Sequence, residues 1–229
     1  MIRELIELVR GEIDGFSFML SLCSMIFVVF CTLPIHEYAH ARVAVWLGDD
    51  TPRLTGRLTV NPMAHIHPIG ALMLFLVGFG YAKPVEVNMR NFKNPKLGMA
   101  ITALAGPVSN LIMAFIFFLL GSFCAYGYNS SGAVVLSAIY TFLFYAGTIN
   151  ISLAVFNLIP IPPLDGSRLL TLLVPSKYYY KLMQYERYIM IALFVLLFTG
   201  ALSTPLMYLT TIVTKGLVVV TNAIAGVFF

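Results

Sequence analysis

Two histidines and a glutamate, His36, Glu37 and His40, stand in the stretch CTLPIHEYAHARVAVWL, at the end of a long apolar run. On a helix, residues four apart share a face at roughly 6 Å between Cβ atoms, which suits two imidazoles on one cation. Glu37 lies beside the first histidine but outside the ligand pair, where its carboxylate can take a proton from a nearby water. This is the HExxH arrangement of zinc hydrolases, two metal ligands with a general base. The pattern alone is weak, since matches of five residues arise by chance. Its competing reading is a polar helix face where the chain leaves a bilayer.

A catalytic zinc needs a third protein ligand and an open position. Asp165, in FNLIPIPPLDGSRLL, is the candidate, although an aspartate after a proline-rich turn is also an ordinary helix N-cap. Asn110 and Asn157 are the next polar side chains inside apolar runs. An amide there can donate to a developing oxyanion or hold a substrate backbone, or it can bond between helices and fix packing. His65 and His67, in NPMAHIHP, are read as solvated loop residues.

The elements that must position these groups follow from composition. Of 229 residues, 59% are hydrophobic and 10% charged, and the mean hydropathy is +0.89. A soluble domain carries a more polar surface, and several runs approach the roughly 20 residues that cross a bilayer. The class is an all-α polytopic membrane protein with about four to six transmembrane helices. A re-entrant segment or a small β-hairpin, around 53–60, is expected between the first two. Residues 1–15 read as an interfacial amphipathic helix, 16–175 as the membrane core that carries the motifs, and 176–229 as C-terminal transmembrane helices. The three cysteines, Cys23, Cys31 and Cys124, lie in apolar runs and read as buried hydrophobes. No cleavable leader and no attached soluble domain are expected.

The net charge is +4, and Lys and Arg concentrate in AKPVEVNMRNFKNPK and GSRLLTLLVPSKYYYKLMQYER. No basic stripe points to nucleic acid. Charge asymmetry instead places both linkers in the cytoplasm. The uncharged GYNSSG, one span from each, is then outside, and the span from Val134 travels inward to deliver PPLDG. The first helix, if it starts outside, covers roughly 30 Å between Phe16 and His36. The histidine pair and Asp165 therefore converge at similar depth, toward the cytoplasm. Pro160, Pro162 and Pro163 break the helix before Asp165, and Gly106 with Pro107 is expected to loosen the span carrying Asn110.

PIHEYAHARVAVWLGD, GRLTVNPMAHIHPIG, AKPVEVNMRNFKNPKLGMAITALAGPVSNLIMA and AVFNLIPIPPLDGSRLL, in that order, resemble the site-2 protease family of intramembrane zinc metalloproteases. The similarity covers roughly residues 16–175 and is greatest to minimal bacterial and archaeal members without PDZ or CBS domains. It implies one zinc ion held by His36, His40 and Asp165, Glu37 as catalytic base, and hydrolysis of a peptide bond in or next to a transmembrane segment. It also tilts Asn110 and Asn157 toward active-site roles. One departure is visible, since similar sequences read HIDP where this chain has HIHP, with His67 in place of the acidic residue. The expected partners are a transmembrane protein substrate and lipid, and the expected location is a prokaryotic cell membrane with the site facing the cytoplasm. A membrane metal-ion transporter using the same three side chains is the alternative, since intramembrane histidines and carboxylates also mark ion pathways.

Overall fold

The computed structural model describes residues 2–77 and 83–229, and all regular structure among them is helical. α1 (Ile2–Val9) precedes a first span built from α2 (Gly15–Phe27), a π-helical turn (Val28–Thr32) and α3 (Leu33–Trp46). Asp14 caps α2 by accepting the Ser17 N–H at 3.1 Å. The π turn falls just before Pro34, whose nitrogen cannot donate, and the Leu33 N–H reaches back five residues to the Val28 carbonyl. The register of the helix is thus reset two residues ahead of His36.

Three short helices follow, α4 (Thr51–Leu54), α5 (Pro62–His65) and α6 (Pro68–Val77). The hairpin expected over 53–60 is not formed. Pro52 opens a helical turn instead, and its carbonyl accepts the N–H groups of both Arg57 and Leu58 around Gly56, whose φ is +71°. α6 has ten residues, about 15 Å of helix, and is too short to cross a bilayer. The rest of the segment read as re-entrant or interfacial, residues 78–81, lies outside the described residues.

α7 (Pro95–Ser131) starts at an Asn94 cap and ends at Gly132 in the left-handed conformation, φ +68°. It runs unbroken through Gly106 and Pro107, where loosening was expected, because α3 and α8 (Val134–Asn157) pack along it there. After the proline-rich turn come α9 (Gly166–Leu173), α10 (Ser176–Gln184), α11 (Glu186–Phe198) and α12 (Ser203–Ala225). The break before α12 falls at Gly200, φ +76°, rather than at Pro205, which sits in the first turn of α12 where a backbone donor is not required.

Among the described residues, four helices are long and apolar enough to cross a membrane: Gly15–Trp46, Pro95–Ser131, Val134–Asn157 and Ser203–Ala225. The protein is an all-α polytopic membrane protein. α7 shows how such a chain sorts its faces. Leu97, Ile101, Leu104, Val108, Ile112, Ile116 and Leu120 form an exposed apolar stripe at helical spacing. The opposite face is small or polar and buried, with Gly98, Thr102, Gly106, Asn110, Ala114 and Gly121. Lipid is as apolar as any core, so helices associate where small residues allow close approach and hydroxyls find partners. Gly147 of α8 illustrates the first, since a methyl there would lie 2.7 Å from the Phe118 ring. Ser24 illustrates the second, donating to the Leu20 and Phe142 carbonyls at 2.7 and 3.0 Å.

Candidate metal centre

His36 and His40 project from the buried face of α3 onto α7. Gly106 permits the approach, because a Cβ at that position would lie 2.6 Å from His36 Nε2 and closer still to His40 Nε2. One turn earlier, the Thr102 carbonyl accepts the His40 Nδ1–H at 2.7 Å. A carbonyl can only accept, so this bond leaves Nε2 with its lone pair free for a cation.

Asp165 arrives from the turn after α8. Gly166 makes that turn possible, since a Cβ there would lie 2.6 Å from the Ile159 carbonyl oxygen and collide with Leu158. Although Asp165 stands at the N-terminus of α9, its side chain makes no capping bond. Its Oδ2 lies instead 3.3 Å from His36 Nε2 and 3.2 Å from His40 Nε2, and the two Nε2 atoms are 3.1 Å apart. The ordinary N-cap reading is thereby excluded. A tetrahedral zinc with bonds of about 2.0–2.1 Å holds its ligand atoms about 3.3–3.4 Å apart, close to this triangle. Two neutral-imidazole nitrogens and a carboxylate oxygen are also the donor chemistry zinc takes. The residues present fit the ion. They are the one group of three such side chains in metal-binding range among the described residues.

The three groups and Glu37 open on a cavity of about 330 Å³. Thr102 and Ala103 of α7, Asn157 at the end of α8 and Leu193 of α11 line it, together with Pro84, Val85 and Val87 of the first basic linker. Asn157 therefore faces the space a reactant would fill. Asn110 does not line it; it is fully buried one turn beyond Gly106, with neither amide atom bonded among the described residues.

The loop histidines are not solvated, as the sequence had suggested. His65 is fully buried, and its Nε2–H donates to the Thr59 carbonyl at 2.7 Å while its own carbonyl accepts the Lys83 N–H at 2.7 Å. His67 is half-buried, and its Nδ1 accepts the Gly70 N–H at 3.4 Å. The loop folds back on itself, so its histidines serve its shape.

Sequence reasoning passed over Thr102, because its contribution is a backbone carbonyl that no side chain announces. It also passed over Asp49. This fully buried carboxylate accepts the Asn88 N–H and the Asn91 Nδ2–H at 2.7 Å each, and the Thr51 hydroxyl at 2.6 Å. It ties the end of α3 to the linker that lines the cavity. The only hint was GDD in a turn, which reads as ordinary loop composition.

Comparison with known proteins converges with this geometry. The model of peptidase family M50 matches residues 124–200, which include Asn157 and Asp165. The Bacillus subtilis (strain 168) protein named "Putative zinc metalloprotease YwhC" is 43% identical over 176 residues, 76% of this chain and 80% of that protein. The Rip2 protein of Mycolicibacterium smegmatis, which carries the same description, is 32% identical over 140 residues, 59% of this chain and 51% of its own length. MJ0611 of Methanocaldococcus jannaschii, again so described, is 32% identical over 103 residues, 44% of this chain and 49% of that protein. No solved structure matches the chain significantly.

Proposed function

Because the chain belongs to peptidase family M50, the site-2 protease family, we propose that it is a zinc metalloendopeptidase cleaving peptide bonds in or next to transmembrane segments of membrane proteins. The observation that carries the reading is the triangle of His36, His40 and Asp165, set beside Glu37 on a cavity among membrane-spanning helices. His36, His40 and Asp165 hold the zinc. When bound, zinc supplies Lewis acidity, polarising a carbonyl and making water acidic enough to attack near neutral pH.

The chain's own residues do the rest. Glu37 takes the proton of the attacking water on its carboxylate and returns it to the leaving nitrogen. Thr102 keeps the His40 ring oriented through Nδ1, and Asn157 presents an amide to the substrate backbone or the developing oxyanion. A peptide bond inside a membrane helix is shielded by its own hydrogen bond and by lack of water, so the substrate must unwind within the cavity. The basic linkers flanking the site support an active site that faces the cytoplasm of a prokaryotic cell. Metal transport is not favoured, since a route needs ligands at further depths and gives no reason for a base beside the first ligand.

The test uses purified wild-type and Glu37→Gln protein, with zinc measured per chain and cleavage measured on a panel of transmembrane peptides. About one zinc in both proteins with cleavage by wild type alone is the expected result. Absence of zinc from wild type after metal-replete purification would overturn the site.

A further inference from the structure

Lys215 stands near the middle of α12, twelve residues after Ser203 and ten before Ala225. That leaves roughly 15–18 Å of helix on either side. A lysine side chain reaches about 6 Å, so it does not bring its amine to either interface. Lys215 is exposed and takes part in no ion pair among the described residues.

Lys215 borders a cavity of about 490 Å³ between α8 and α12. Hydroxyl side chains line it, among them Thr148, Ser152, Thr210 and Thr214. Thr148 and Ser152 donate back to carbonyls of their own helix, at 2.8 and 3.0 Å. The Thr214 hydroxyl is buried and has no partner among the described residues. This face differs in kind from the outer stripe of α7, which is Leu, Ile and Val throughout. It has the small, hydroxyl-rich make-up of a helix–helix interface. α12 is also the least covered span, with 17% of its membrane window buried against 39%, 33% and 22% for the others.

An amine at mid-bilayer is costly without an acidic partner. We infer that the groove between α8 and α12 docks a transmembrane helix of another protein that carries one aspartate or glutamate near mid-bilayer depth, paired with Lys215. A second copy of this chain does not supply that group, because Glu37 is the one carboxylate within the four spans and it is buried in the metal-site cavity. Lipid headgroups lie at the interfaces, beyond the reach of the side chain. The docked helix would press on the wall of the metal-site cavity. Ser152 faces the groove while its neighbour Leu153 lines that cavity, and Leu206 of the groove packs with Phe156, Leu164 and Leu193. Docking depends on Lys215 and the groove, not on hydrolysis at the metal centre.

The experiment reconstitutes full-length protein with a donor fluorophore in phosphatidylcholine vesicles. The probe is an acceptor-labelled 23-residue leucine–alanine peptide with Asp, Leu or Lys at its centre. Wild type should bind the Asp peptide at least tenfold more tightly than the Leu peptide, and Lys215→Met should erase the difference. Lys215→Asp should transfer the preference to the Lys peptide, a gain that a misfolded variant does not mimic. Equal binding of Asp and Leu peptides by wild type would overturn the proposal, as would a preference that survives Lys215→Met. Binding that requires added phosphatidylglycerol would make the groove a lipid site, and energy transfer between protein copies that excludes the peptide would make it a self-interface. Either result also overturns the proposal.

Discussion

Gly106 and Asn110 sit on one face of α7, a turn apart, and their surroundings make opposite demands. Against Gly106 the imidazoles lie so close that a single methyl would displace them. Gly106→Ala should therefore lower zinc occupancy and destabilise the fold by about 1–3 kcal/mol, the usual cost of overpacking; metal analysis and thermal melting measure both. Around Asn110 there is no bond to lose among the described residues. Replacing an unbonded buried amide with an apolar group of similar size is close to neutral or stabilising. Asn110→Leu should thus hold or raise the melting temperature; a fall in melting temperature would assign Asn110 to packing, and slowed peptide cleavage at an unchanged melting temperature would assign it to the active site. Glu37→Gln removes the proposed base and leaves the three proposed ligands in place. It should cut turnover by about 10²–10⁴-fold with zinc content unchanged.

At the scale of elements, the site depends on connections that lie outside the spans. Asp49 joins the end of α3 to the linker carrying Pro84, Val85 and Val87, through bonds to Asn88, Asn91 and Thr51. Burial raises its carboxyl, but those donors more than offset the effect and leave it below the ordinary aspartate value of 3.8. A carboxylate lowered in the folded state contributes its full stability above the unfolded pKa. It loses that stability as pH falls below 3.8 and through the lower folded value. Asp49→Asn should cost roughly 2–3 kcal/mol at pH 7, since hydrogen bonds to an ion are being weakened and one acceptor oxygen becomes a donor. It should also remove the part of the acid destabilisation expected of wild type below pH 3.8, measured by melting in detergent. The π turn before Pro34 works at the same scale, setting the rotation at which α3 presents its histidines.

For the whole molecule, the two basic linkers and the site belong to one side of the membrane and the turn at Gly132 to the other. α7 crosses away from the linker, and α8 returns to deliver Asp165 beside residues of the first turns of α7. In a cysteine-free background, Lys177→Cys should react with an impermeant maleimide only after cells are permeabilised, whereas Ser130→Cys should react in intact cells. The reverse pattern would remove the cytoplasmic placement of the site.

How much of this was legible beforehand depends on the physics of each feature. Helical spans, the pair His36 and His40, and an aspartate brought to the same depth were readable, because hydrocarbon thickness sets span length and span parity sets which ends meet. The hairpin was misread because alternation over a few residues competes with the turn chemistry of Pro52 and Gly56. Hydrophobic periodicity could not say which face of α7 is inward, since lipid and protein core are equally apolar. Only the folded chain could show that Asp165 turns to the histidines rather than capping α9, that Thr102 orients His40 through a backbone carbonyl, and that Asp49 is a buried junction. Each of those depends on where a backbone group far away in the chain comes to lie, and local residue types do not encode that position.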